Sequence, residues 1–281
     1  MSYKTIVVYV NESMHTPQRV EIATDLAMSE SAHLVGVAAT ALPAEFYLAG
    51  VMGDSSSGFE IYLDFLRERA NTALAEFEAI ADRRGVPSFE KRIAADDAAA
   101  VMSLHARYSD LVVIGQNDPN ESLPGVRADF PEYVVMNSGR PVLIIPYAGR
   151  FDNIGKRVLI AWDASVEATR AVTAAIPLLK RADIVELAVF NPKVGLEAHG
   201  ERPGADIALY LARHGVKVEV SEEKTAAGMD IGNALLSHAA DVGADLMVMG
   251  GYGHSRFREV LLGGVTDTVL KSMTIPTLMA H

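Results

Sequence analysis

Short, nearly uninterrupted apolar runs alternate with longer amphipathic stretches along this chain, and the whole alternation occurs twice. In the first half the apolar runs fall near 4–10, 33–40, 89–93, 110–114 and 142–146. Helical periodicity falls near 17–30, 60–84, 96–107 and 129–137. In the second half the runs lie near 157–162, 184–190, 216–221, 245–249 and 275–280, with helical stretches near 166–181, 204–214, 230–242 and 264–273. Nearly continuous apolar runs of five to eight residues predict strands buried on both faces. Strands of that kind, alternating with helices, predict an α/β architecture of parallel sheets covered on each side, with right-handed crossovers.

The two halves are a repeat at the level of individual residues. Asn11 and Ser13, after the first run, match Asp163 and Ser165 at an offset of 152, whereas Asp110–Gly115 matches Asp245–Gly250, and Pro141 matches Pro276, at 135. One insertion of 17 residues accounts for the difference, and Leu42–Gly58, with its proline, glycines and serines, has the turn chemistry to hold it. It reads as a surface connection, or as an apolar lid built from Phe46, Tyr47, Leu48, Val51 and Met52. The connector Tyr147–Gly155 carries two glycines and little periodicity, which places domains at 1–147 and 156–281.

Composition narrows the function. At 281 residues and 49% hydrophobic content the chain fills two cores. A net charge of −11 argues against nucleic acid or an anionic membrane as partner. With no cysteine, disulfides, thiolate metal sites and cysteine nucleophiles are excluded. The N-terminus runs straight into Thr5–Val10 without a leader pattern, and no run approaches the ~20 apolar residues of a membrane span, so a cytoplasmic protein is expected. The eight histidines show no paired spacing with carboxylates that suggests a metal site. A Gly-Lys-(Ser/Thr) triplet and a Gly-x-Ser-x-Gly elbow are both missing, so no catalytic residue is assigned.

The chemistry-bearing stretch is Gly250–Thr266. Glycines at 250, 251, 253, 263 and 264 bracket a basic segment with His254, Arg256 and Arg258, after a strand and before a helix starting near Gly264. Backbone N–H groups and the positive end of a helix dipole then converge, an arrangement suited to phosphate. The same run also reads as a plain tight strand-to-helix turn, and Asp163 or Ser165 also reads as the cap of the helix that follows.

With these motifs the chain resembles the universal stress protein family in its tandem form. Gly250, Gly253 and Gly263 meet the family's Gly-x2-Gly-x9-Gly spacing. Gly264 stands where the family has Ser or Thr, and Val265 and Thr266 continue the pattern. The resemblance implies two doubly wound, five-stranded parallel-sheet domains of the adenine nucleotide alpha hydrolase-like kind, forming an intramolecular pseudo-dimer in which Val142–Pro146 lies beside Ile275–Ala280. It implies ATP or another adenine nucleotide, with or without Mg, held by Asp163, Val189, Gly250, Gly251, Gly253, His254, Gly263, Gly264, Val265 and Thr266. In the first half Gly253 and Gly263 are replaced by Asp118 and Ala128, Gly264 by Asp129 and Asp163 by Asn11, while Glu121 joins the loop. Carboxylates there repel polyphosphate, so this half reads as a partner domain with a degenerate site. Two functions stay open: a nucleotide-binding stress sensor reporting to an unidentified protein, and a nucleotide-independent scaffold. A slow ATPase ranks behind both, and a homodimer is allowed.

Overall fold

A computed structural model describes residues 2–40, 57–121, 123, 125–192, 202–226, 228–253 and 264–281. The apolar positions of the 42–58 insertion named above, and His254, Arg256, Arg258 and Gly263, lie outside the described residues. The described chain divides into two compact units, Tyr3–Arg140 and Pro141–His281, the latter with the chain's first residues.

In the first unit the order is β1 (Thr5–Tyr9), α1 (Thr16–Glu30), β2 (His33–Ala39), α2 (Ser57–Arg84), β3 (Phe89–Ala94), α3 (Ala98–Ala106), β4 (Leu111–Gly115) and α4 (Phe130–Asn137). Its strands lie in the order β3-β2-β1-β4, all parallel. Consecutive residues Ile6, Val7 and Val8 are all buried, so both faces of β1 are covered, as the unbroken apolar run requires. Strand β3 ends the series with exposed Lys91 and Arg92, charges that discourage pairing with another chain.

The second unit contains β5 (Val142–Ile145), β6 (Arg157–Ala161), α5 (Val166–Leu179), β7 (Ile184–Phe190), α6 (Ala205–Arg213), β8 (Glu219–Glu223), α7 (Ile231–Asp241), β9 (Leu246–Gly250), α8 (Val265–Ser272) and β10 (Thr277–Ala280). Its order is β5-β10-β9-β6-β7-β8, parallel except for the antiparallel β5–β10 pair. The expected pairing of the two halves' last strands is present, with Leu143 opposite its own repeat counterpart Leu278. Each repeat is α/β with a parallel sheet. Strand β8 begins three residues later than the apolar pattern suggests, because Val216 turns into the core instead of joining the ladder that pairs Glu219 with Glu186. Among the described residues no helix is long and apolar enough to cross a membrane.

Candidate functional site

In the second unit, β6 and β9 are neighbours, but β6 leads outward to β7 while β9 leads to β10 on its other side. This reversal leaves a crevice beyond the strands' carboxyl ends, the place where open α/β sheets take ligands. The chain delivers three segments to that crevice: Trp162–Ala168 after β6, Gly250–Gly253 after β9, and Gly264–Thr266 at the start of α8.

The first segment is a tight turn into a helix. Asp163 Oδ1 accepts the Ser165 N–H at 3.0 Å, Ala164 takes a φ of +61°, and Ser165 Oγ accepts the Ala168 N–H at 3.0 Å. Ser165 is therefore the cap of α5, and Asp163 shapes the turn before it. Asn11 repeats the Asp163 contact in the first unit, where its Oδ1 accepts the Ser13 N–H at 3.4 Å. A local structural role thus accounts for one oxygen of Asp163, while its carboxylate stays exposed.

The second segment touches the first. A Cβ on Gly250 would stand 2.6 Å from the Ala168 nitrogen, so only glycine lets the end of β9 approach the start of α5 this closely. Gly253 lies beside it, where a Cβ would stand 3.1 Å from Glu167 Oε2 and 3.6 Å from Ser165 Cβ. The Gly251 N–H donates to Ala280 O at 2.9 Å, and the Tyr252 N–H to Thr266 Oγ1 at 3.1 Å. Those two amides hold the turn to β10 and α8, and within Gly251–Gly253 the remaining amide is that of Gly253.

Thr266 also brings in the third segment. Gly264 is the extended N-cap of α8, exposed and without a side-chain cap, and Val265 opens the helix. The N-termini of α5 and α8 both converge on the Gly250–Gly253 turn. Val189 is fully buried, with its Cγ2 3.3 Å from the place a Cβ on Gly204 would occupy.

The spacing of glycines gives no hint of Glu167. Its Oε2 is buried without a hydrogen-bond partner among the described residues, and it points at the Gly253 turn. An adenine nucleotide therefore fits the crevice in part. The glycine turn and helix starts suit an anion, but the carboxylate opposes an uncompensated one until a cation or proton sits between them.

In the corresponding part of the first unit the loop after β4 is tied to the start of α1, beside a cavity lined by Tyr9, Asn11, Ala38 and Arg69. Glu121 accepts from Ser13 Oγ at 2.6 Å and from the Met14 N–H at 3.0 Å. Asp118 lies 2.9 Å from His15 Nε2 and accepts the Asn120 N–H at 2.8 Å. Those two bonds, the backbone one first, hold the Asp118 carboxyl below the usual carboxylate range. Beneath them Arg19 is buried, donating to Tyr9 O, Asn11 Oδ1 and Thr16 Oγ1, and burial lowers its pKa to about 10. It therefore stays charged at neutral pH. The charged loop residues of this half, expected to repel a ligand, are engaged with the chain's own donors.

A sequence model of the universal stress protein family matches residues 155–281. Universal stress protein Slr1230 of Synechocystis sp. is 27% identical over 173 residues, covering 60% of this chain and 57% of that protein's length. YxiE, a universal stress protein of Bacillus subtilis, is 28% identical over 148 residues, 44% of this chain and 98% of its own. A crystal structure of a universal stress protein from Archaeoglobus fulgidus DSM 4304 superposes with a TM-score of 0.73 at 17% identity, covering 98% of this chain and 97% of that one. At that identity the likeness concerns the fold.

Proposed function

The chain belongs to the universal stress protein family, and on that premise we propose that its second repeat, residues 156–281, binds an adenine nucleotide and acts as a regulatory or sensor module. The observation that carries the proposal is the convergence of two helix N-termini on the Gly250–Gly253 turn at the reversal point of the sheet. The phosphates lie between the Gly253 amide and the start of α8 at Gly264–Thr266, with His254 and Gly263 completing the loop as the family pattern implies. The base lies toward Asp163. Gly264 in place of a hydroxyl residue removes one neutral hydrogen bond, a loss of about 1 kcal/mol that weakens binding without abolishing it. The cation that reconciles Glu167 with phosphate is a magnesium ion carried in by the nucleotide, since magnesium takes much of its coordination from phosphate.

Calorimetry with ATP, ADP and AMP in the presence of magnesium tests this, on the wild type and on Gly253→Asp, the residue that the first repeat carries at this position. Micromolar binding, lost in the variant, supports the proposal. The buried carboxylate of Glu167 favours a second reading, a scaffold that works through its surfaces without nucleotide. Failure of all three nucleotides to bind at millimolar concentration selects it, and phosphate release with turnover would instead assign hydrolysis.

A further inference from the structure

Strand β7 is apolar along Ile184–Phe190 except for Glu186, which stands in the interior of the sheet between β6 and β8. A carboxylate there is costly to bury unless something compensates its charge. Its Oε1 accepts from Ser221 Oγ on β8 at 2.7 Å and lies 2.7 Å from His238 Nε2 on α7. On the other side of the imidazole, Glu223 Oε1 lies 3.9 Å from His238 Nδ1. One ligand atom from each of Glu186, Glu223 and His238 falls within 4.8 Å of the others. Among the described residues neither carboxylate has a lysine or arginine partner, so two negative charges share a single imidazole.

We propose that Glu186, Glu223 and His238 bind one divalent cation of the zinc class. The donor set selects that class: an imidazole nitrogen with carboxylate oxygens suits zinc, cobalt or nickel, whereas magnesium and calcium take oxygen alone. Zinc bonds of ~2.1 Å at tetrahedral angles put neighbouring ligand atoms about 3.4 Å apart. One ligand atom from each residue already lies within 4.8 Å of the others, so side-chain rotation brings the three to a common metal. The site is already oriented by its surroundings. Ser221 holds Glu186, and the ring of Phe190 stands at 85° to the His238 ring, 5.9 Å between centroids, and walls one side. The side chains of His238 and Glu186 are 17% and 20% exposed, which leaves an entry path and room for a water as fourth ligand. Metal binding at this site requires no nucleotide.

The test is titration of the full chain with zinc by calorimetry, and with cobalt by its visible absorption, which reports a nitrogen–oxygen ligand field. The expected result is one ion per chain at micromolar affinity, weakened at least tenfold in both His238→Ala and Glu186→Gln. Zinc should raise the melting temperature of the wild type but not of those variants. Glu223→Gln, on the outermost strand of its unit, keeps the His238–Glu186 contact and should weaken binding while the metal-free melting temperature stays put. Absence of binding at millimolar zinc overturns the proposal. Equal affinity in all three variants also overturns it, by placing the metal on other histidines.

Discussion

Glu121 takes a 2.6 Å hydrogen bond from the hydroxyl of Ser13, and through the Met14 amide it reaches the turn that begins α1. A side chain of the protein thereby occupies, in the first repeat, the kind of position that an anion is proposed to occupy in the second. Its negative charge also favours the charged form of the buried Arg19. Glu121→Ala should therefore destabilise the protein by about 2 kcal/mol, the scale of a hydrogen bond to a charged group. Urea unfolding followed by circular dichroism measures it, and an unchanged midpoint would mean that this carboxylate contributes no net stability.

Acid should loosen the same loop. Asp118 is held below its ordinary pKa by the Asn120 amide and His15, and Asp129 by its hydrogen bonds to Arg127. A carboxylate whose folded pKa lies beneath its unfolded one contributes fully above about pH 4, and that contribution disappears as pH falls through the folded value. Both groups sit near the surface, so the loss is shallow. Melting temperature plotted from about pH 5 down to about pH 2 should fall more gently for Asp118→Asn than for the wild type. Parallel curves would show that the Asp118 contacts add nothing.

If the proposed site binds a nucleotide, the buried Glu167 carboxylate sets the charge that the ligand must bring. Wild-type affinity for ATP should drop at least tenfold when magnesium is chelated, while Glu167→Gln should bind ATP similarly with and without the ion. Calorimetry in magnesium and in EDTA separates the cases. If the wild type binds ATP only weakly but without regard to magnesium, Glu167 is not the gatekeeper, whatever the fate of the nucleotide proposal.

Leu143 and Leu278 face each other across the antiparallel β5–β10 ladder, and both are fully buried. Placing aspartate at both positions opposes two like charges in a dry interface, a loss of about 4 kcal/mol or more. Thermal melting and size-exclusion chromatography would show it, and a double variant that melts like the wild type would contradict the strand pairing described here.

The sequence discloses most of the strands and helices because most of the apolar runs are nearly unbroken and several helices begin at a recognisable start, such as Asp97, Ser165 or Asp230. It also discloses Gly250, Gly253 and Gly264 as parts of a turn that the fold brings against α5 and α8. Glu167 escapes such reading because its meaning depends on an approach between residues far apart in the chain, Gly253 and the first turn of α5. Arg19 escapes because a single arginine in an amphipathic stretch looks like a surface charge until the fold buries it. His238 and Glu186 are 52 positions apart, so no local spacing joins them. The one local clue was Glu186 itself, a carboxylate inside an otherwise apolar strand.

Strand β5 belongs to the first repeat by sequence, yet it closes the sheet of the second. A fragment holding residues 156–281 alone would leave β10 with a free edge of amides and carbonyls, and two such fragments would satisfy each other by pairing β10 with β10. Joining the repeats in one polypeptide replaces that encounter with a contact whose occupancy does not depend on concentration. Dilution, which would dissociate a pair of separate halves, leaves this edge closed.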